Sequence, residues 1–334
     1  MHLFTRTLYR AWSPRATGIA AAAVTVLIWS AFILLARAAA DPSRGGTLGA
    51  FDISFCRIVG AGLILLPWGR FLVWQDRRAQ TGQSSLWGWS PLPWRVTVSV
   101  GLFGGLLYAL LVYHAFVYAP AAHGSVLLSG SLPLWMALLA WLVLGERISG
   151  RRGLSLGLIL LGGLLVGGAS LWHAEGEVWR GDLLLIASAM CWGAYSVLVR
   201  HHALEAVRAT VAITAFACLT YVPTYLLLVF TNHITSHLLT APLQDVLFQV
   251  VTQGWGSVVV AGITFTKMIG YFGPVRSSMI TALVPGLSAV AAVLVLDEPL
   301  HWYSSLGLVL VTVGIVLGVR AAAAPRAPQS AAAL

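Results

Sequence analysis

The sequence has few charged residues. Asp, Glu, Lys and Arg make up 9% of its 334 residues, against about 25% in an average soluble domain. Hydrophobic residues make up 58% and the mean hydropathy is +0.85. This composition excludes an ordinary cytosolic enzyme and a disordered chain. Because a membrane-spanning helix needs about 20 mostly apolar residues, the chain has enough apolar residues for about ten spans.

Cysteine is equally scarce, since Cys56, Cys191 and Cys218 are spread singly through apolar segments. An odd number of cysteines without a C-x-x-C pair indicates neither a disulfide framework nor a metal site, and we expect no cofactor. The sequence also lacks an H-E-x-x-H motif, a phosphate-binding loop and a G-x-S-x-G motif. A zinc protease, an ATPase and a serine hydrolase therefore have no support.

Acidic residues are outnumbered, with 11 Asp and Glu against 20 Lys and Arg, for a formal net charge of +9. In a soluble protein this excess would suggest nucleic acid, but in a membrane protein loop arginines are orientation signals. With the N-terminus inside, fifteen arginines fall on the cytoplasmic side and only Arg37, Arg44 and Arg180 on the other. We predict two cytoplasmic termini, a multi-pass protein of a bacterial-type inner membrane and no nucleic-acid partner.

Long apolar runs are what the sequence has in abundance. They are continuous rather than alternating, so we predict helices and not a β-barrel. Ten runs are long enough to cross a bilayer: 17–37, 48–68, 96–118, 121–144, 153–172, 181–199, 209–231, 250–271, 275–296 and 302–320. The first run is too long for a signal peptide and is expected to be retained. Residues 1–16 are predicted to be a cytoplasmic segment and residues 321–334 a disordered cytoplasmic tail.

The two halves of the chain repeat a common pattern. Pro133 and Pro285 are 152 residues apart, and Glu146 and Glu298 keep the same spacing. Each half contains five predicted helices, an odd number, so the second half enters the membrane from the opposite side. The predicted fold is an all-α membrane protein with ten transmembrane helices arranged as two inverted five-helix repeats. Inverted repeats are a recurring design of secondary transporters.

The segments that carry the repeat read LPLWMALLAWLVLGERIS and VPGLSAVAAVLVLDEPL. Together with Trp29 and with Arg57 in FCRIVGAGLILLP, they resemble the EamA-like family of the drug/metabolite transporter superfamily. The resemblance implies a first five-helix repeat at 17–173 and a second at 181–320. It also implies movement of small metabolites, often amino acids and often outward, across the cytoplasmic membrane.

Charged residues deep in a bilayer are costly and are therefore functional candidates. Arg57 lies near the middle of the second helix, where it could bind a substrate carboxylate or cap backbone carbonyls. Lys267, the only lysine, could face the same pathway or extend to the membrane surface. No Asp or Glu lies deep in a predicted helix, and Asp182 is near a helix entry. The sequence thus favours a substrate with an anionic group and does not support a carboxylate relay at the midplane.

The remaining candidates for the substrate pathway are aromatic or polar: Trp29, Trp192, Tyr195, His114, Ser278 and Thr281. For each of them the alternative is ordinary helix packing or an interhelical hydrogen bond. If transport is coupled to protons, His114 or a carboxylate at a helix end must serve. Pro133 and Pro285 interrupt their helices and are predicted to allow bending, while Glu146 and Glu298 are predicted to do structural work at matching helix exits.

We therefore expect a permease that moves a small metabolite, an amino acid or another carboxylate-bearing compound, by alternating access, as an exporter. Its expected partners are this substrate and the lipid bilayer. The pairs Gly163-xxx-Gly167 and Gly314-xxx-Gly318 favour tight packing of the fifth and tenth helices or a homodimer. A membrane-embedded transferase-type enzyme, which would need an acid, base or metal cluster at one interface, and a non-transporting scaffold remain alternatives.

Overall fold

The computed structural model describes residues 14–41, 46–146, 148–173 and 176–323, and this part of the chain is helical without any strand. We number its helices α1 Pro14–Ala40, α2 Ala50–Arg78, α3 Trp94–Tyr118, α4 Ala121–Leu144, α5 Gly150–His173, α6 Val178–His201, α7 Ala206–Phe230, α8 residues 243–281, α9 Leu283–Leu296 and α10 Trp302–Ala323.

Within these described ranges, nine helical segments are long and apolar enough to cross a membrane, and α9, at 14 residues, is shorter. The prediction of an all-α membrane protein is confirmed, whereas ten spans in two inverted repeats stays a prediction. Of the predicted terminal segments, residues 1–13 and 324–334 lie outside the described residues. Residues 14–16 and 321–323 belong to α1 and α10.

Two helices extend beyond their predicted bounds by more than four residues. α8 begins at Leu243 and stays helical to residue 281, through the turn that we predicted between 271 and 275. Pro242 precedes its first residue and Asp245 lies in its first turn, a combination that suits a helix N-terminus. α2 continues ten residues past its predicted end at residue 68 and ends at Arg78.

The extension of α2 is fixed by α7. Two guanidinium nitrogens of Arg208, at the start of α7, donate to the two carboxylate oxygens of Asp76 at 2.6 and 2.8 Å. At the opposite end of the same two helices, the Tyr225 hydroxyl donates to Asp52 and the Tyr221 hydroxyl donates to the backbone oxygen of Phe51 at 2.8 Å. α2 and α7 are therefore held together at both of their ends.

The bundle has two ends, which we name after the glutamate at each. At the Glu298 end, α1, α3 and α9 end, and α2, α4 and α6 begin. At the Glu146 end, α4 and α6 end, and α5 and α7 begin. Several large, fully buried side chains of the largest apolar cluster lie in the half of their helix nearest the Glu298 end: Ile33, Ile53, Tyr113, Leu127 and Leu185.

Glycines allow several pairs of helices to touch by their backbones, among them α2 with α8 and α5 with α10. A Cβ atom on Gly60 of α2 would lie 2.8 Å from the Val250 carbonyl oxygen, and one on Gly254 of α8 would lie 2.8 Å from the Gly60 Cα. In α5 and α10, a Cβ on Gly162 would lie 2.6 Å from the Gly307 carbonyl oxygen. The first contact brings the Arg57 region of α2 against α8.

The predicted close approach of the fifth and tenth helices is therefore present within one chain. Gly314 of α10 takes part, since a Cβ atom there would lie 2.8 Å from the Ser155 carbonyl oxygen. For Gly167, no atom of the described residues lies within 4 Å of such a Cβ atom. A homodimer stays a prediction.

Candidate functional site

Arg57 is buried inside the bundle, with 7% of its surface exposed. Its Nη1 donates to the Ser257 hydroxyl of α8 at 3.1 Å. The guanidinium carbon lies 5.5 Å from the ring centre of Phe32 in α1 and 5.7 Å from that of Tyr108 in α3. Aromatic faces stabilise a cation at these distances, so four helices together hold one buried positive charge.

A buried amide adjoins this arginine. Gln253 is 1% exposed, and its Oε1 accepts a hydrogen bond from the Tyr113 hydroxyl at 3.0 Å. The Tyr113 ring lies 6.2 Å from the same Phe32 ring that faces Arg57. The Gln253 Nε2 has no hydrogen-bond partner among the described residues. Because a buried unpaired donor costs about 1–3 kcal/mol, this amide is a donor suited to an acceptor on a ligand.

π-Helical turns occur in the helices that line this site. They cover Gly101–Leu107 in α3, directly before Tyr108, and Val250–Val260 in α8, which contains Gln253. A third stretch covers Gly124–Gly130 in α4. Such turns are rare in proteins as a whole, but those that occur are often found at functional sites. They rotate the side chains that follow them.

The predicted aromatic residues of α6 reach the site through Tyr108. The Trp192 ring lies 4.8 Å from the Tyr108 ring and 5.0 Å from the Tyr195 ring. Tyr195 fits closely because it packs on Gly104 of α3, where a Cβ atom would lie 2.6 Å from the tyrosine ring. Trp192 and Tyr195 thus form one wall of the site.

Trp29 lies on the other side. It is half-buried, and its ring is 4.9 Å from that of Phe265 in α8. Because Trp29 and Phe32 are three residues apart on α1, they share a face of the helix. The predicted tryptophan therefore continues the aromatic surface that begins at Arg57.

Other predicted residues lie apart from this cluster. The Lys267 side chain is exposed on the surface of α8, as expected for a lysine that extends to the membrane surface. The His114 Nδ1 lies 2.7 Å from the Leu110 carbonyl oxygen, and its ring packs on Phe51 at 4.4 Å. Thr281 donates to the Ser277 carbonyl oxygen at 3.3 Å. The side chain of Ser278 lies outside the described residues.

The two symmetric prolines follow helix breaks. Pro133 is the second residue of the helical segment Leu132–Leu144 in α4, and Pro285 is the third residue of α9. A single turn residue, Ser131 in α4 and Ala282 before α9, separates each segment from the helical residues before it. Proline is tolerated in a first helical turn because its missing N–H has no intrahelical acceptor there.

Glu298 lies in a buried ion pair. The Arg37 Nε donates to Glu298 Oε1 at 2.8 Å, and the two side chains are 12% and 6% exposed. Arg37 also lies 2.8 Å from Asp41 and donates to the Phe116 carbonyl oxygen at 2.7 Å. The other glutamate oxygen accepts the backbone N–H of Ala121 at 2.7 Å. One network thus joins α1, α3, α4 and the connection between α9 and α10.

Glu146 forms the corresponding pair with Arg200 at the end of α6, and there the side chains are 33% and 52% exposed. Arg152 lies 3.9 Å away as a second cation. Arg37 follows Trp29 by eight residues, and Arg200 follows Trp192 by eight. Each half of the chain therefore supplies the arginine to the glutamate of the other half.

Two functional candidates were absent from the sequence predictions. Gln253 had a detectable signal, because Gln249, Gln253 and Ser257 follow one another at four-residue intervals on an apolar helix. His123 had no such signal, because its partner is distant in sequence. The His123 Nδ1 lies 2.8 Å from Oδ1 of Asp182, in a helix that begins 55 residues later. Among the described residues, no group of three or more His, Cys, Asp or Glu side chains is placed to hold a metal ion.

Comparison with known proteins gives a family match along almost the whole chain. The profile of the EamA-like transporter family matches residues 16–168 and 179–320. A probable amino-acid metabolite efflux pump of Salmonella typhimurium strain LT2 is 26% identical over 233 residues, which cover 68% of this chain and 75% of that protein. An uncharacterised protein of Pseudomonas aeruginosa is 37% identical over 94 residues, or 28% of this chain and 31% of that one.

The fold also has a counterpart among solved structures. One crystal structure aligns with a TM-score of 0.55 and 21% sequence identity, covering 91% of this chain and 98% of the other. At this identity the likeness shows a common fold alone.

Proposed function

We propose that this chain, a multi-pass membrane protein that belongs to the EamA-like transporter family, exports a small carboxylate-bearing metabolite, such as an amino acid, by alternating access. The Salmonella relative is named as a probable amino-acid metabolite efflux pump, which supports this substrate class and direction. The arginine distribution supports an inner-membrane location with cytoplasmic termini, so that the Glu146 end faces the cytoplasm.

The observation that carries the proposal is the pairing of two buried donors. Arg57 supplies a guanidinium group, which faces the Phe32 ring. Gln253 supplies an unpaired amide N–H, and its Oε1 is bound by Tyr113, whose ring is the neighbour of Phe32. A carboxylate accepts hydrogen bonds from both groups and neutralises the buried arginine. Trp192 and Tyr195 supply an apolar wall for the rest of the metabolite.

In each ion pair, the arginine comes from one half of the chain and the glutamate from the other. This arrangement supports alternating access. Arg37 with Glu298 and Arg200 with Glu146 occupy opposite ends of the bundle. If one pair separates while the other holds, a ligand at Arg57 is open to one side of the membrane at a time. Inverted five-helix repeats, as predicted from the chain, would make the two movements equivalent.

The test is exchange of radiolabelled amino acids and organic acids by the purified protein in liposomes. With a transported carboxylate identified, Arg57→Ala is expected to weaken its apparent affinity about 10–100-fold, the loss of a hydrogen bond to a charged group. Gln253→Leu removes the amide donor and is expected to weaken affinity by about tenfold.

Lys267→Ala is the matched control, because it removes a positive charge from the exposed face of α8 and is expected to leave affinity unchanged. Equal affinity of the wild type and Arg57→Ala for every carboxylate substrate would refute the site. Saturable transport restricted to cations would refute the substrate class.

A further inference from the structure

Basic and aromatic side chains come together at the Glu146 end, where α2 is connected to α3. A Cβ atom on Gly88 would lie 2.8 Å from the Arg70 Nη1 and 3.2 Å from the Arg77 Nη2, so two guanidinium groups of α2 meet at this glycine. The Arg70 Nη1 also donates to the Trp87 carbonyl oxygen at 3.0 Å. The Arg70 guanidinium carbon lies 5.3 Å from the centre of the Trp89 ring. The connection therefore holds two cations close together on the surface.

This positive charge is not balanced within the described part of the chain. There, Arg70, Arg77 and Arg78 have no Asp or Glu oxygen within 4.0 Å. Asp76, the carboxylate on the same stretch of α2, accepts two hydrogen bonds from Arg208 instead. The exposed Arg77 side chain also has no hydrogen bond to a described residue, so its five N–H donors are available to an external anion.

The turn next to these arginines is held in an unusual shape. Leu86 and Trp87 have φ angles of 52° and 56°, left-handed values that are costly for residues other than glycine. Buried hydroxyls impose this shape, since the Thr97 Oγ1 lies 3.0 Å from the Ser85 Oγ and 2.7 Å from the Ser90 Oγ. The turn presents the Trp87 side chain outward, with 84% of its surface exposed.

Other aromatic rings around the arginines are exposed as well. Trp94, the first residue of α3, is 63% exposed. On α2 the exposed rings of Phe71 and Trp74 stack at 5.9 Å, and the Arg78 guanidinium carbon lies 3.9 Å from the centre of the Trp74 ring. Exposed aromatic rings at the ends of long apolar helices are typical of the headgroup layer of a membrane. The arginines therefore lie at the level of lipid phosphates.

We propose that the connection between α2 and α3 binds an anionic phospholipid, with Arg70 and Arg77 on the headgroup phosphate and the Trp87 ring inserted beside the lipid. A guanidinium group offers two parallel N–H donors to two phosphate oxygens, and here two such groups meet at Gly88. Free phosphate would bind the arginines but leave the rings of Trp87 and Phe71 in water. A lipid covers these rings too, and this favours a lipid as the occupant.

The first test is a lipid titration of the purified full-length protein in detergent, followed by native mass spectrometry. Dioleoyl phosphatidylglycerol is expected to bind at least about tenfold more tightly than dioleoyl phosphatidylcholine. Arg77→Gln is expected to weaken phosphatidylglycerol binding about fivefold, the contribution of one arginine near an anionic surface. Arg70→Gln combined with Arg77→Gln should weaken it about 25-fold. If Arg70→Gln disturbs the turn, the Arg77→Gln variant still decides the question.

The matched control is Arg151→Gln, which removes an exposed arginine at the start of α5 and at the same end of the bundle. It is expected to leave the affinity for phosphatidylglycerol unchanged. Equal affinities of the wild type for the two lipids would overturn the proposal, as would equal losses in Arg77→Gln and Arg151→Gln. Inorganic phosphate that binds as tightly as the lipid would overturn the choice of a lipid.

The second test separates the aromatic ring from the charges. Trp87→Ala is expected to weaken both lipids by the same factor, about fivefold, and so to keep the preference for phosphatidylglycerol. Trp87→Phe should restore most of the loss. Unchanged binding of both lipids by Trp87→Ala would show that the ring is not inserted. These measurements involve no transported substrate, so they are decided separately from the proposed function.

Discussion

The two ends of the bundle use the same side chains in opposite environments. At the Glu298 end, the arginine and glutamate are 12% and 6% exposed, and the network includes Asp41 and two backbone groups. At the Glu146 end, Arg200 and Glu146 are 52% and 33% exposed. A buried pair is costly to break by removing one partner, whereas an exposed pair contributes about 0–1 kcal/mol. The ion pair at the Glu298 end is therefore expected to be costly to break, and the one at the Glu146 end is not.

The largest expected difference comes from removing each glutamate. Glu298→Ala removes one of the two carboxylates beside the buried Arg37 and the acceptor of the Ala121 N–H, so we expect unfolding free energy to fall by about 3–5 kcal/mol. Glu146→Ala is the matched control, with an expected change within about 1 kcal/mol. Denaturant unfolding of both variants in the same detergent measures the difference. Equal losses would mean that burial does not distinguish the two ends.

The next difference concerns the shape of the cation. Arg37 uses three nitrogens on Glu298, Asp41 and a backbone oxygen, and a lysine ammonium cannot reproduce that planar arrangement. We expect Arg37→Lys to destabilise the protein by about 1.5–3 kcal/mol, the value of a charged hydrogen bond. Arg200→Lys keeps a charge beside an exposed carboxylate and should cost less than about 0.5 kcal/mol. Thermal unfolding of the two lysine variants tests this, and a larger effect at Arg200 would contradict it.

A smaller effect is expected from Asp52, which has no exposed surface and also lies at the Glu298 end. Tyr225→Phe removes one of its hydrogen-bond donors, while the backbone N–H groups of Gly49 and His237 remain, at 3.0 and 3.1 Å. The expected cost is about 1 kcal/mol, the usual net value of one hydrogen bond. The control is Tyr271→Phe on an exposed side chain, expected to be neutral. If Tyr225→Phe left the unfolding free energy unchanged, the stability of this end would come from the Arg37 network alone.

The smallest effect is that of salt. Raising the ionic strength from about 0.01 to 1 M shortens the Debye length from about 30 to 3 Å, which screens exposed charges more than buried ones. Cysteine probes placed beside Glu146 should therefore label faster at high salt, by up to about twofold, while probes beside Glu298 should keep their rate. Equal acceleration at both ends would show that water reaches the Arg37 network.

Much of the helical framework is predictable because each apolar run is long and ends at polar or helix-breaking residues. The run predicted at 121–144 coincides with α4, and that at 96–118 differs from α3 by two residues. The start of α8 was missed because Gln244 and Asp245 are polar, although they lie in the first turn of a helix long enough to cross a membrane. The extension of α2 depends on Arg208, 132 residues after Asp76, a contact that local sequence does not encode.

The site is predictable where a residue is anomalous in its own segment. Arg57 is such a residue, and Trp192 and Tyr195 accompany it in the structure through Tyr108. Lys267 is equally anomalous in sequence, but the side of α8 on which it lies follows from tertiary packing. His123 became a candidate only through its contact with Asp182, because a histidine at a helix start has many ordinary explanations.

The double attachment of α2 to α7 sets which parts of the molecule move. A helix held at one end pivots about that end, but α2 is fixed near Asp52 and again near Asp76, 24 residues along. In the proposed mechanism, the helix that carries Arg57 would therefore stay in place, and the helices joined by the arginine–glutamate pairs would move. A substrate bound to Arg57 would then stay at a constant depth while the barrier around it changes sides.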